Sequence, residues 1–340
     1  MNWAQHKILV TGGASFIGSH LVQALVGRGA FVRVVDNLSS GKFSNIEHEL
    51  SAGAIEFIEG DLREQDVTRH AVNGMEYVFH LAADHGGRGY LETHQSACAG
   101  NLALDGLVFL ACREAGVEKV VYASSGCVYP NFRQMDPKEL VYLSEEMVGP
   151  PYDADNIYGY GKLMGELTLQ VYSQAREMKA VSCRYFTAFG ERCKEDHAIM
   201  AMIARAFVRQ NPFEVWGTGE QIRNWTYVED IVEGTILAAE KIDDGRGINL
   251  GTTERTRVID AAQEVQRYFG YSPKIERMPE MPTGPYNRVA DNTLAKHLLG
   301  WEPQVSFLEG LHRTINWYVS NHQQNEVAIQ LESLLSERKI

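Results

Sequence analysis

Short apolar runs rich in valine and isoleucine recur through the first part of the chain. They read KILVTGG (7–13), FVRVVDN (31–37), AIEFIEGD (54–61), YVFHLAA (77–83) and VEKVVYASS (117–125). Stretches with helical spacing fill the gaps, among them 16–25 and ACAGNLALDGLVFLACREAG (97–116). Strands that alternate with helices predict a parallel sheet covered on both faces. The unbroken apolar character of the strands fits burial on both sides. A sixth strand is expected over 183–189. The fold class is therefore α/β, a Rossmann-like doubly wound parallel sheet. After about residue 190 the pattern is less regular and prolines at 212, 273, 279, 282, 285 and 303 punctuate it. This predicts a smaller C-terminal α/β lobe. The expected division is 1–182 for the first domain and 183–322 for the lobe, with 225–256 returning to the first domain. Residues 323–340 are polar and weakly amphipathic, and read as a surface helix or frayed tail.

Composition narrows the partners. The 340-residue chain carries a net charge of −12, which argues against nucleic acid or an anionic membrane as partner. An anionic small ligand held by local arginines remains compatible. The five cysteines are odd in number and form no C-x-x-C pair. They read as free thiols of a cytoplasmic protein, with no metal site. No apolar run is expected to approach the ~18 residues of a membrane helix.

TGGASFIGSH (11–20) lies between the first strand and its helix. Gly12 and Gly18 flank a turn where backbone can approach a pyrophosphate, and the helix start at Ser15, Phe16 and Ile17 favours its charge. Asp36, followed by Asn37, ends the second strand, where the dinucleotide fingerprint places an acid for ribose hydroxyls. That acid would repel a 2′-phosphate, so the expected cofactor is NAD.

Tyr158 and Lys162 stand four apart in NIYGYGK, and on a helix they share a face. An ammonium beside a phenol lowers the phenol's pKa and makes it a usable base. Together with the glycine turn, Asp61-Leu62, Leu81-Ala82-Ala83 and Ser124-Ser125, this set resembles the extended short-chain dehydrogenase/reductase family over roughly 7–320. The resemblance implies hydride transfer between NAD and a sugar hydroxyl, served by Ser125, Tyr158 and Lys162. It places Asp61 and Leu62 by the adenine and Leu81, Ala82 and Ala83 along the cofactor. GTGEQIRNWTYVED (217–230) and YNRVADNTLAKHLLGWEP (286–303) resemble the family's diphosphate-binding segments, which puts Arg223 and Arg288 on a nucleotide-diphosphate sugar. Two positions depart from the family pattern. Ser15 replaces the middle glycine of the loop, and RYFTAFGE has Thr187 and Phe189 where asparagine and tyrosine are usual.

The segment SSGCVYP (124–130) carries Cys127 where the family's dehydratases have an Asp-Glu pair. It resembles the GDP-mannose 3,5-epimerases and GDP-fucose synthases, and AADHGGRGY (82–90), FRQMD (132–136) and the Asp291-Asn292 signature resemble the former. That resemblance makes Cys127 an acid/base at a ring carbon, with Lys194 or His197 as its partner on the other face. It also places Gly86, Gly87 and Arg88 in a loop over the sugar. The implied reaction is C4 oxidation, proton exchange at C3 or C5, then re-reduction, with GDP-mannose the first substrate to try. The alternatives are a UDP-sugar 4-epimerase with an idle Cys127, and a non-catalytic NAD-binding protein. A homodimer is expected through the Tyr158 helix and the apolar stretch 101–115.

Overall fold

The computed structural model describes residues 1–336. Its centre is a seven-stranded parallel sheet. Six strands come in sequence: β1 (Lys7–Thr11), β2 (Phe31–Asp36), β3 (Ile55–Glu59), β4 (Tyr77–His80), β5 (Lys119–Ser125) and β6 (Lys179–Tyr185). The seventh, Asp244–Leu250, pairs with β6 and comes from the 225–256 stretch. The spatial order is Asp244–Leu250, β6, β5, β4, β1, β2, β3. Side chains alternate between the two faces. Ile8 and Val10 enter one core with Leu21, Val22 and Leu25, whereas Leu9 joins Val72, Val108 and Phe109 on the other. Burial on both faces explains why the strands read as continuous apolar runs.

The order reverses at β1, which has β2 on one side and β4 on the other. The chain leaves these neighbours toward opposite faces, and a crevice opens beyond their carboxyl ends. Ligands of open α/β sheets bind at such a switch point.

Several expectations need correction. The sixth strand is Lys179–Tyr185, not 183–189. Thr187, with φ 34°, turns the chain, and Ala188–Phe189 pairs instead with Thr226–Tyr227 in a separate two-stranded sheet. The helix of 97–116 is two, Gln95–Ala99 and Asn101–Glu114, joined at Gly100. Contrary to the expectation of no such run, Gln95–Glu114 has 20 residues of mean hydropathy 1.2, long and apolar enough to cross a membrane by those two measures. Here it packs against the helices Gln65–Val72 and Asn156–Gln174. The expected polar tail contains the helix Gln324–Ser336, docked on Ala198–Phe207 through buried Val327, Leu331 and Leu335. Its apolar stripe at four-residue spacing is a packing face. The last four residues of that expected tail, 337–340, lie outside the described residues.

Beyond the sheet, Ile222–Arg223 pairs with both Thr256–Arg257 and Asn287–Arg288. This small ribbon sets Arg223 beside Arg288 in register. On the sheet side, Glu166 of the helix Asn156–Gln174 meets Arg184 of β6 in a buried forked pair, with Nη2 to Oε2 at 2.8 Å and Nε to Oε1 at 3.0 Å. Ser124 donates to the same carboxylate. The pair fixes that helix one turn beyond Lys162. Glu166→Ala leaves Arg184 charged, buried and unpaired, and is expected to cost about 3–5 kcal/mol in chemical denaturation; a loss below 1 kcal/mol would contradict this account of the helix anchor.

Candidate active site

At the switch point the first turn is built by contact between backbones. Gly12 has φ 69°, and a Cβ there would lie 2.9 Å from the Ala82 nitrogen. A Cβ on Gly18 would collide with the Gly12 carbonyl. Thr11 fixes the facing turn by accepting the Leu81 and Ala82 N–H groups at 3.1 and 3.0 Å. The tight glycine cradle at the start of the helix Phe16–Gly27 fits a pyrophosphate. Phe16, Ile17, Leu81, Ala82 and Ala83 line the same cleft.

Ser15 begins the helix, and its hydroxyl lies 3.4 Å from Asp36 Oδ2. The Ala14 and Leu38 N–H groups hold the same carboxylate at 3.0 and 2.9 Å. Burial pushes the Asp36 carboxyl up, against these bonds. Asn37 donates to Asp61 at 3.3 Å, and Arg63 clasps Asp61 so that its pKa is lowered to about 2. Leu62 is buried beneath the sheet edge while still lining the cleft. These groups form one end of the cleft.

The other end carries the chemistry. Ser125 ends β5, and its Oγ accepts the Cys127 N–H at 3.1 Å. Cys127 and Tyr158 belong to one small buried cluster with Tyr90, Leu91 and Cys98. Lys162 shares the Tyr158 helix face, but its ammonium lies 5.9 Å from the Tyr158 ring centre and 4.6 Å from that of Tyr122. Behind it runs a buried chain. Thr11 donates to His80 Nδ1 at 2.7 Å, His80 Nε2 donates to Asp105 at 3.0 Å, and the Tyr122 hydroxyl donates to the other Asp105 oxygen. With the ring assigned in this way, each of these polar groups has a partner.

The electrostatics differ from the sequence expectation. Lys162 does not bring the Tyr158 phenol down. Burial pushes that phenol well above its ordinary value, Cys127 and Asp105 add to the rise, and the Ser125 hydrogen bond opposes it. Lys162 is itself pulled down by burial, with the Asp105 carboxylate as its largest support. Asp105 stays below the ordinary carboxylate range despite burial, because Lys162 and His80 favour its charge.

Three arginines surround the remaining wall. Arg288 donates to Cys127 Sγ at 3.2 Å, to Asp155 at 2.9 Å and to Gln134 at 2.9 Å. Arg88 holds Asp155 through both carboxylate oxygens, at 2.9 and 2.8 Å. Arg223 donates to the Ile222 and Thr283 carbonyls, each at 2.7 Å. Burial, with the charges of Arg288 and Arg88, lowers it to about 9. Arg88 also pairs with Glu92, so two carboxylates stand against three guanidiniums, and the surplus positive charge suits a diphosphate.

The 84–87 turn closes against 194–197. A Cβ on Gly87 would collide with the Asp196 carbonyl, and the Gly87 N–H donates to Asp196 Oδ2 at 3.0 Å. Gly86 is equally tight against Tyr90 and Asp196. Lys194 and His197 both line the cleft, and the His197 N–H donates to the Lys194 carbonyl at 3.1 Å. The charge of Lys194 is the smallest of the influences that lower the Asp36 carboxyl. His197 faces His85 with ring centres 5.2 Å apart, and His85 faces Tyr158 at 5.5 Å. His85, Asp105 and Asp155 were not singled out in the sequence. His85 stands inside AADHGGRGY, beside glycines that carried the attention there.

Comparison with known proteins bears on this geometry. Residues 8–251 match the NAD dependent epimerase/dehydratase family. GDP-mannose 3,5-epimerase 1 of Oryza sativa subsp. japonica is 30% identical over 93% of this chain and 82% of its own. UDP-N-acetyl-alpha-D-glucosaminuronate decarboxylase of Bacillus cytotoxicus is 31% identical over 92% of this chain and 97% of its own. The NAD complex of Thermus thermophilus UDP-glucose 4-epimerase superposes with a TM-score of 0.82 at 27% identity, covering 93% of this chain and 100% of that one. The chain is similar to all three, and they name three different reactions. With a match over residues 8–251 and a glycine cradle shaped for a dinucleotide, the chain belongs to the NAD-dependent epimerase/dehydratase family as an NAD-dependent isomerase.

Proposed function

We propose that the protein epimerises a nucleotide-diphosphate sugar at C3 or C5, with GDP-mannose as the first substrate to test. The observation that carries this reading is the thiol of Cys127, clustered with Tyr158 and contacted by Arg288 at 3.2 Å, with His197 joined to Tyr158 through the ring of His85. Bound NAD supplies a reversible acceptor for the C4 hydride. Gly12, Gly18, Asp36, Asn37 and Asp61 are placed to hold it, and Arg88, Arg223 and Arg288 to hold the diphosphate.

Tyr158 takes the C4 hydroxyl proton as a phenolate, a form that burial opposes and the Ser125 hydrogen bond favours, and Ser125 stabilises the oxygen left behind. The C4 ketone makes the neighbouring C–H groups acidic, since either carbanion becomes an enolate. Cys127 removes a proton from one face and His197 returns one to the other, which inverts the carbon. Of the two candidate partners, His197 is favoured over Lys194 by its place near Tyr158.

A second reading, a UDP-sugar 4-epimerase, draws support from the burial of Cys127 at 7% exposure among apolar neighbours, the setting of a packing thiol. In either reading residues 1–182 with 225–256 carry the cofactor, and 183–322 supply most of the diphosphate contacts. The five free, buried cysteines suit a reducing cytoplasm. We further propose a homodimer. Leu102 of Asn101–Glu114 is 44% exposed, and Tyr160, Met164 and Val171 on one face of Asn156–Gln174 are 41%, 50% and 60% exposed. These two packed helices present an apolar surface of the kind that marks an interface.

Two variants separate the steps. Tyr158→Phe is expected to retain NAD and lose about 10²–10⁴-fold in turnover. Cys127→Ala is expected to stop inversion at C3 and C5 while GDP-mannose still reduces the bound NAD, read by its near-ultraviolet absorbance. Full inversion by the cysteine variant would support the 4-epimerase reading instead. Light scattering should show a dimer for the native chain and a monomer for Met164→Glu; a native monomer would rule the interface out.

A further inference from the structure

The 84–87 turn holds its histidine more firmly than a surface loop would. The buried Asn101 side chain accepts the Asp84 N–H at 2.7 Å and donates to the Asp84 carbonyl at 2.9 Å. Tyr90 donates its hydroxyl to the Asp84 carboxylate at 2.6 Å. On the other side of His85, the Gly87 N–H is tied to Asp196 at 3.0 Å. His85 is thus pinned at both flanks, between the β4 side of the cleft and the 194–197 segment. Its ring meets two others: Tyr158 at 5.5 Å and a 42° tilt, and His197 at 5.2 Å and a 40° tilt. Cys127 belongs to the same buried cluster as Tyr158. These neighbours link four proton-carrying groups: Cys127, Tyr158, His85 and His197.

The proposed reaction needs such a link, and a role for His85 in it rests on that reading of the site. In one inversion the Cys127 thiolate gains a carbon-bound proton and becomes a thiol. The His197 imidazolium gives one up and becomes neutral. Tyr158 returns its proton to the C4 oxygen and ends as a phenolate. The sugar is finished, but the protein is not reset: one proton must move from sulfur to the His197 ring.

We propose that His85 is the proton carrier that resets the site between turnovers. The S–H bond of Cys127 breaks as the Tyr158 O–H forms. That O–H breaks as one His85 nitrogen is protonated, and the other His85 nitrogen gives its proton to His197. No electron changes hands, and the net transfer is one proton from Cys127 to His197. An imidazole carries a proton this way because one nitrogen accepts while the other donates.

The test is rapid-quench kinetics of the NAD-loaded enzyme with GDP-mannose in D2O. His85→Ala should incorporate deuterium into about one sugar per active site at close to the native rate, then turn over about tenfold more slowly or worse. Free imidazole should restore the later turnovers and leave the first unchanged. His85→Gln, which keeps the bulk and some hydrogen bonding of the side chain but cannot relay a proton, should show the same burst and the same slow phase. Unchanged steady-state turnover in both variants would overturn the proposal. So would a first turnover that falls together with the later ones and ignores imidazole, which is the mark of a packing role. Native enzyme that incorporates no deuterium would instead overturn the C3/C5 reading itself, and the relay with it.

Discussion

The site depends on one close approach. The turn after β1 and the turn after β4 meet so tightly that Gly12 has no room for a Cβ against Ala82. Thr11 ties the two turns by accepting the Leu81 and Ala82 N–H groups. From there the chain of His80, Asp105 and Tyr122 runs to Lys162, so the cofactor turn and the lysine helix are parts of one buried polar network. Polar groups buried this deep persist because each has a partner. The network therefore ties the glycine turn after β1 to the helix that carries Tyr158 and Lys162.

Charge is arranged in two tiers around that network. Inside, Lys162 and Asp105 support each other across the Tyr122 ring, and each would be costly to bury alone. Outside, Arg88 and Arg288 share the carboxylate of Asp155, Arg88 also pairs with Glu92, and Arg223 has only carbonyl partners, so three guanidiniums face two carboxylates and the far wall stays positive. An acidic chain thus turns its spare positive charge inward, where an anionic substrate would sit. Tyr158 lies between the tiers, in a place where burial raises its phenol more than any neighbour lowers it.

Much of this was legible in the sequence because the signals are local. A strand buried on both faces writes a continuous apolar run, and a glycine that touches backbone writes itself as a glycine. The errors arise where the deciding contact is distant. RYFTAF keeps strand character to Phe189, and the Thr187 turn and the second sheet that captures Ala188–Phe189 were not visible in it. The polar look of the C-terminal stretch hid a stripe at Val327, Leu331 and Leu335 whose partner is the helix Ala198–Phe207. Lys194 and His197 stand three apart in sequence, and nothing local says that the His197 ring meets His85. The pKa of Tyr158 follows from burial, which a four-residue spacing does not report. His85 gains its meaning from Tyr158 and His197, both far away along the chain.

The central claim is that carbon-bound protons are exchanged beside a transient C4 ketone. Its most direct test is to incubate the native protein with GDP-mannose in D2O and locate deuterium in the recovered sugar by NMR. Deuterium at C3 or C5 is the predicted result, and it would give Cys127 and His197 their chemistry. Epimerised sugar carrying no deuterium would contradict the account, since it would mean that the hydride returns to C4 and no carbon-bound proton is exchanged.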